Sequence, residues 1–156
     1  MKNFKQSILA ITALFFLNAC SKSSPGTSPA NTGHNVKFTI TVAGGVAATN
    51  RGLIDLVFNA AGSNNKTIWT INSVQQQNAT LLTFDGISFP AGATTTFVIQ
   101  SIAPVPDTRV HLDFGNAANL PAYTISYKAE IDGKVQNDDE NIVINGTTSY
   151  EHDYSY

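Results

Sequence analysis

From residue 36 onward, apolar and polar side chains alternate with a period of two, the repeat of a strand with one buried face and one wet face. Val36, Phe38, Ile40 and Val42 share one side of the first such segment, and Lys37, Thr39 and Thr41 share the other. The pattern returns at Ile54, Leu56 and Phe58, at Trp69 and Ile71, over Leu81 to Phe84, over Thr96 to Ile102, and at Val110, Leu112 and Phe114. Gly, Pro, Asn or Asp bounds each segment, so the chain turns between strands. In the last third, Tyr123, Ile125, Tyr127, Ala129 and Ile131 line one face ahead of Asp132-Gly133, a pair suited to the positive φ angles of a two-residue hairpin turn. Asn145-Gly146 offers a second such turn, between Ile142-Val143-Ile144 and a closing segment from Ser149 to Tyr156. About seven to nine antiparallel strands at this spacing predict an all-β sandwich.

The first 35 residues break the pattern. Lys2 and Lys5 precede an apolar run from Ser7 to Leu17, and small Ala19 leads into Cys20, the layout of an export signal. The run reaches about half of the roughly 20 apolar residues that cross a bilayer, so a signal helix within residues 1–19 is expected rather than a lasting span. Residues 20–35 are rich in Ser, Pro, Gly and Thr and carry almost no bulky side chain, the composition of a flexible tether. Residues 36–156 then form one domain, long enough to bury about two-thirds of its unfolded surface.

Leu17-Asn18-Ala19-Cys20, placed at the end of that signal, resembles the lipobox of bacterial lipoproteins. The resemblance implies cleavage before Cys20, a diacylglyceryl group on its thiol, and an acyl chain such as palmitate on the new amino terminus. The lipid bilayer is then the first partner. Ser21, where an Asp would hold such lipoproteins in the inner membrane, favours the outer membrane of a bacterial envelope. Cys20 is the only cysteine, so no intramolecular disulfide is available and packing alone must hold the domain.

Two features inside the domain resemble the immunoglobulin-like and fibronectin type III sandwiches. Trp69 stands on the third predicted strand, where such domains bury a tryptophan. Asn119-Leu120-Pro121-Ala122-Tyr123-Thr124-Ile125 is similar to the immunoglobulin segment that carries the corner tyrosine, with Tyr123 in that role. On this resemblance Ile125 and Leu56 stand where the two cysteines of the disulfide would be.

Chemistry adds little. The sequence holds no nucleophile elbow, no zinc-protease helix motif, no phosphate-cradling Gly-Lys-Ser/Thr loop and no Cys/His ligand set, and the three histidines, His34, His111 and His152, are scattered. The expectation is a protein that is not an enzyme, with no catalytic residue and no cofactor. From residue 36 on there are six bases against eleven acids, a net charge of −5, and a field of that sign repels phosphates. Nucleic acid is therefore not an expected partner.

Seven of the acids lie in residues 130–156 and frame two candidate sites. Asp138-Asp139-Glu140, on a loop or strand entry, offers the hard oxygen donors that Ca²⁺ takes, although calcium loops space such ligands alternately around a glycine bend. The other reading is a charged hairpin edge that resists aggregation. In the terminal segment Tyr150, His152, Tyr154 and Tyr156 share one face by the period of two. Exposed, that row would stack on a sugar or a partner protein; buried, it is the inner face of the last strand. The function expected is a membrane-anchored lipoprotein whose sandwich binds or scaffolds an envelope protein or a glycan. A carbohydrate-binding module using the tyrosine face, and a small envelope enzyme whose residues meet only in the fold, are the alternatives.

Overall fold

A computed structural model describes residues 33–47, 49, 53–61 and 68–156. Cys20, the signal and most of the tether lie outside these residues. The elements are β1 (Val36–Ala43), β2 (Ile54–Ala61), β3 (Trp69–Ile71), β4 (Val74–Gln75), β5 (Leu81–Asp85), a 3-10 turn (Gly86–Ser88), β6 (Thr94–Ser101), β7 (Asp107–Phe114), β8 (Tyr123–Ile131), β9 (Lys134–Ile144) and β10 (Tyr150–Ser155). Among the described residues no helix is long and apolar enough to cross a membrane.

The ten strands of the described residues form two antiparallel sheets, one of six in the order β4-β3-β6-β1-β8-β9 and one of four in the order β10-β7-β2-β5. The antiparallel all-β sandwich expected from the sequence is the observed fold, with one strand beyond the expected range. The extra strand is the two-residue β4, folded back on β3 through Asn72-Ser73, both at positive φ. Asn72 then extends the sheet with its side chain, accepting from the Val98 N–H at 2.8 Å and donating to the Thr96 carbonyl at 3.2 Å.

The alternation along each strand becomes burial. Val36, Phe38, Ile40 and Val42 of β1 face Leu56, Phe58, Val110 and Leu112 of the smaller sheet in a single core. Phe38 sits at its middle, with its ring centroid 5.4 Å from Phe58, 6.4 Å from Trp69 and 5.5 Å from Tyr156. Edge and tilted arrangements of this kind add to the area the rings remove from water. Trp69 is fully buried and its indole N–H donates to the Thr80 carbonyl at 3.1 Å. The Tyr123 hydroxyl, at the start of β8, donates back to the Gly115 carbonyl at 2.8 Å, which is the bond a tyrosine corner makes. Leu56 and Ile125 are both buried, on opposite sheets.

The two expected turns fare differently. Asp132 and Gly133 have φ of 49° and 75° and join β8 to β9 as a tight hairpin. At the second position the chain crosses between sheets instead: β9 belongs to the six-stranded sheet and β10 to the four-stranded one. Asn145 bridges Thr148, its side chain accepts from the Thr147 N–H at 2.8 Å, and neither Asn145 nor Gly146 has a positive φ. Gly146 is needed for a different reason, since a Cβ there would lie 2.0 Å from the Ala118 Cα.

Candidate functional site: the two faces of the last strand

Strand β10 is an edge strand, and its register on β7 decides where its side chains go. Tyr150 stands opposite Phe114, His152 opposite Leu112 and Tyr154 opposite Val110, all three of them core residues, so the Tyr/His row points into the sandwich. The row is graded. Tyr150 is buried, Tyr154 and Tyr156 are half-buried, and His152 is exposed, its ring 4.3 Å from that of Tyr150 and 5.7 Å from that of Tyr154.

The tyrosine tips reach β9 of the opposite sheet. Asp139 accepts from the Tyr150 hydroxyl at 2.8 Å and from the Tyr154 hydroxyl at 3.3 Å, and the two hydroxyls lie 2.8 Å apart. The Tyr156 hydroxyl donates to Asn137 Oδ1 at 2.7 Å; with its one proton spent there, the Tyr127 hydroxyl, 3.1 Å away, is the donor to Tyr156. Burial above all pushes these phenols up, Tyr156 to about 12 against the pull of the bond it receives from Tyr127, and Tyr127 and Tyr150 further still, with the neighbouring hydroxyls and, for Tyr150, Asp139 adding to it. They therefore remain donors at any ordinary pH. Two bulges in β9 shape this seam. At the first, Ile125 pairs with Ile142 but Tyr127 with Asp139, leaving one extra residue on β9, where Asn141 takes a φ of 56° and donates its N–H to Ser126 Oγ at 3.0 Å. The inserted residue resets the alternation, which is how Asp139 and Ile142 both come to face inward.

The acidic tripeptide is thus inside a strand and not on a loop. Asp138 faces outward and pairs with Lys128 at 3.2 Å, while Asp139 turns inward to the tyrosines. Asp138 and Glu140 border one open depression of about 310 Å³ on the six-stranded sheet, with Thr39, Thr41 and Lys128. Among the described residues, no three His, Cys, Asp or Glu side chains are grouped so as to hold a metal ion.

The other face of β10 carries an arrangement that the sequence did not disclose. Register places Glu151, Asp113, Asp55 and Asp85 directly opposite one another across β10, β7, β2 and β5, four carboxylates in one row. The next row is Asp153, His111, Val57 and Thr83, with His111 Nδ1 2.8 Å from Asp153 Oδ1. The third is Ser155, Arg109, Asn59 and Leu81. An open depression of about 400 Å³ runs between the second and third rows, bordered by Val57, Asn59, Arg109, His111 and Asp153. Partial burial, then Glu151 and Asp55, push the Asp113 carboxyl above the usual range, against the pull of His111. The Asp153 hydrogen bond raises His111 despite its burial. Asp85 is engaged elsewhere as well, accepting from the Ile87 N–H at 2.9 Å to cap the 3-10 turn. The members of the row come from four segments spread over nearly a hundred residues; the one available signal was their polar parity on each predicted strand.

No protein-family model matches the chain. No curated protein matches it either. Among solved structures, the chain is similar to the crystal structure of a DUF4425 family protein from Bacteroides ovatus ATCC 8483, with 16% identity and a TM-score of 0.47 over 80% of this chain and 95% of that one.

Proposed function

We propose that this protein is a bacterial lipoprotein, acylated at Cys20 and held at the outer membrane, whose sandwich serves as a non-enzymatic binding or scaffolding module of the envelope. The anchor rests on the lipobox resemblance and the tether behind it. The observation that carries the binding role is the outer face of the four-stranded sheet, where three cross-strand rows present charged and polar side chains, with Val57 and Leu81 among them, on an open surface. Small-molecule sites are concave and mostly apolar, whereas an open polar face suits contact with another macromolecule. An envelope protein is the partner favoured over a glycan, because the tyrosine rings that would stack on sugar are buried or half-buried in the sandwich, held there by bonds to Asp139 and Asn137.

Acylation is tested by metabolic labelling with a palmitate analogue: Cys20→Ser should abolish the label and move the protein out of the membrane fraction, and retained label rejects the anchor. Binding is tested by capture from envelope extracts with the acylated protein, alongside a glycan array. Capture of a defined protein that Arg109→Glu or His111→Ala abolishes and His152→Ala leaves intact supports the outer face. A positive array hit lost on His152→Ala transfers the role to the tyrosine side.

A further inference from the structure

We propose that the outer face of the four-stranded sheet is a proton-responsive element, tightened by acidification in two steps that involve His111 and the carboxylate row centred on Asp113. The proposal starts from register. On antiparallel neighbours, side chains directly opposite have Cβ atoms about 5 Å apart, and like charges there repel. Asp113 has such a neighbour on each side, Glu151 from β10 and Asp55 from β2, and Asp85 of β5 continues the row beyond Asp55. The folded sheet holds these groups together; the unfolded chain, where they lie far apart in sequence, does not.

The row beside it works in the same direction. His111 is bonded to Asp153 at 2.8 Å and flanked along β7 by Asp113, so a proton on its ring meets carboxylates on both sides. Among the described residues, the charged and titratable groups facing this pair and Asp113 are Glu151 and Asp153 from β10, Asp55 from β2 and Asp85 from β5. Arg109 on β7 lies toward Asp107, 3.5 Å away, and Tyr123 of β8 feels the charge of Asp113 from the far side.

Both groups have folded values above their ordinary ones, and the sign follows from that. A group that binds its proton more tightly when folded makes stability fall as pH rises. For His111 that stability is complete below the ordinary histidine value of 6.5 and is lost as pH rises through the higher folded value. For Asp113 the penalty is absent below 3.8 and complete above its raised folded value. A near-neutral step and an acid step result. Asp132 pulls the other way, since His34 and the Asn35 N–H hold its carboxyl below the usual range, which confines its opposing effect to the acid end.

The test is thermal unfolding of the full-length, detergent-solubilised protein as a function of pH. Between about pH 8 and about pH 5.5, Tm should rise by about 2–4 °C. His111→Gln should remove that rise, and Asp113→Asn should raise Tm near pH 7 while diminishing, without removing, the His111 step, because Asp153 still holds the ring. A wild-type Tm that stays level or falls over this interval overturns the proposal, as does a full rise in His111→Gln. Should a variant fail to fold, an NMR titration of the wild-type protein decides: midpoints above 6.5 for His111 and above 3.8 for Asp113 uphold it, and ordinary or lower midpoints reject it.

Discussion

Asp139 and Asp113 are both half-buried aspartates near β10, and the molecule treats them in opposite ways. Asp139, reached from the inner face of β10, is met by two phenol hydroxyls that cannot ionise at ordinary pH. Asp113, beside the outer face, has carboxylates across from it on both neighbouring strands. One carboxylate closes the edge of the sandwich and the other strains its surface. The difference lies in parity: moving one residue along β10 exchanges a tyrosine for an acid, and the partner strand supplies either a donor or another charge. A local conflict kept in an otherwise consistent fold is where function is to be sought, so the outer face is the better place to look for a partner.

The strongest break of this comparison is Asp139→Ala, which leaves the Tyr150 and Tyr154 hydroxyls only each other, so that one of the two donors loses its acceptor at a partly buried seam. Hydrogen bonds to a charged acceptor are worth about 1.5–3 kcal/mol, and a loss of that size should show in urea unfolding as a lower midpoint with an unchanged slope. Asp139→Asn keeps an acceptor oxygen and should lose less. Equal losses in the two variants would mean that the negative charge of the acceptor, and not the presence of an oxygen, carries the bonds; no loss in either would mean that the bonds contribute nothing. Next in size is Tyr156→Phe, which keeps the ring against Phe38 but drops the bond to Asn137 and the acceptor for Tyr127. A loss of about 1 kcal/mol is expected, and adding Asn137→Ala should cost little more if the bond is the cause.

These seams show what was readable in the chain. Strands announced themselves because half-burial imposes the period of two, and Tyr123 and Trp69 sit where the immunoglobulin-like resemblance placed them. Partner choice was not readable. Nothing local says that β9 leaves β10 for the other sheet, because Asn145-Gly146 carries the composition of a hairpin turn while Gly146 answers to the approach of Ala118. The β3–β4 turn was invisible for the converse reason, with Asn72-Ser73 taking positive φ and no glycine to mark it. Of the candidate residues, the shared face of Tyr150, His152, Tyr154 and Tyr156 followed from parity, but the full or partial burial of the three tyrosines depended on Asp139 and Asn137 arriving from a bulged strand, and His152 stayed exposed. The carboxylate row needed three registers at once.

On the outer face the expected effect is smaller and of opposite sign. Asp113→Asn removes the central charge of the row and should stabilise the protein at neutral pH by about 0.2–1 kcal/mol, the range of one cross-strand pair. A destabilised variant would show that Asp113 serves a bond that outweighs its repulsion.

Salt distinguishes the two faces with the smallest shift of all. Exposed charges are screened over about 10 Å at 0.1 M ionic strength and over about 3 Å at 1 M, whereas short bonds at a partly buried seam are screened much less. Raising the salt should therefore close the gap in Tm between Asp113→Asn and wild type, because the wild-type row is relieved by ions as it is by the mutation. The gap between Asp139→Ala and wild type should persist, since no ion replaces the lost carboxylate acceptor of the Tyr150–Tyr154 pair. If both gaps close together, the seam is as electrostatic as the row and the contrast between the faces of β10 fails. If neither closes, the effect of Asp113→Asn is not relief of repulsion between exposed charges, and the outer-face half of the contrast fails.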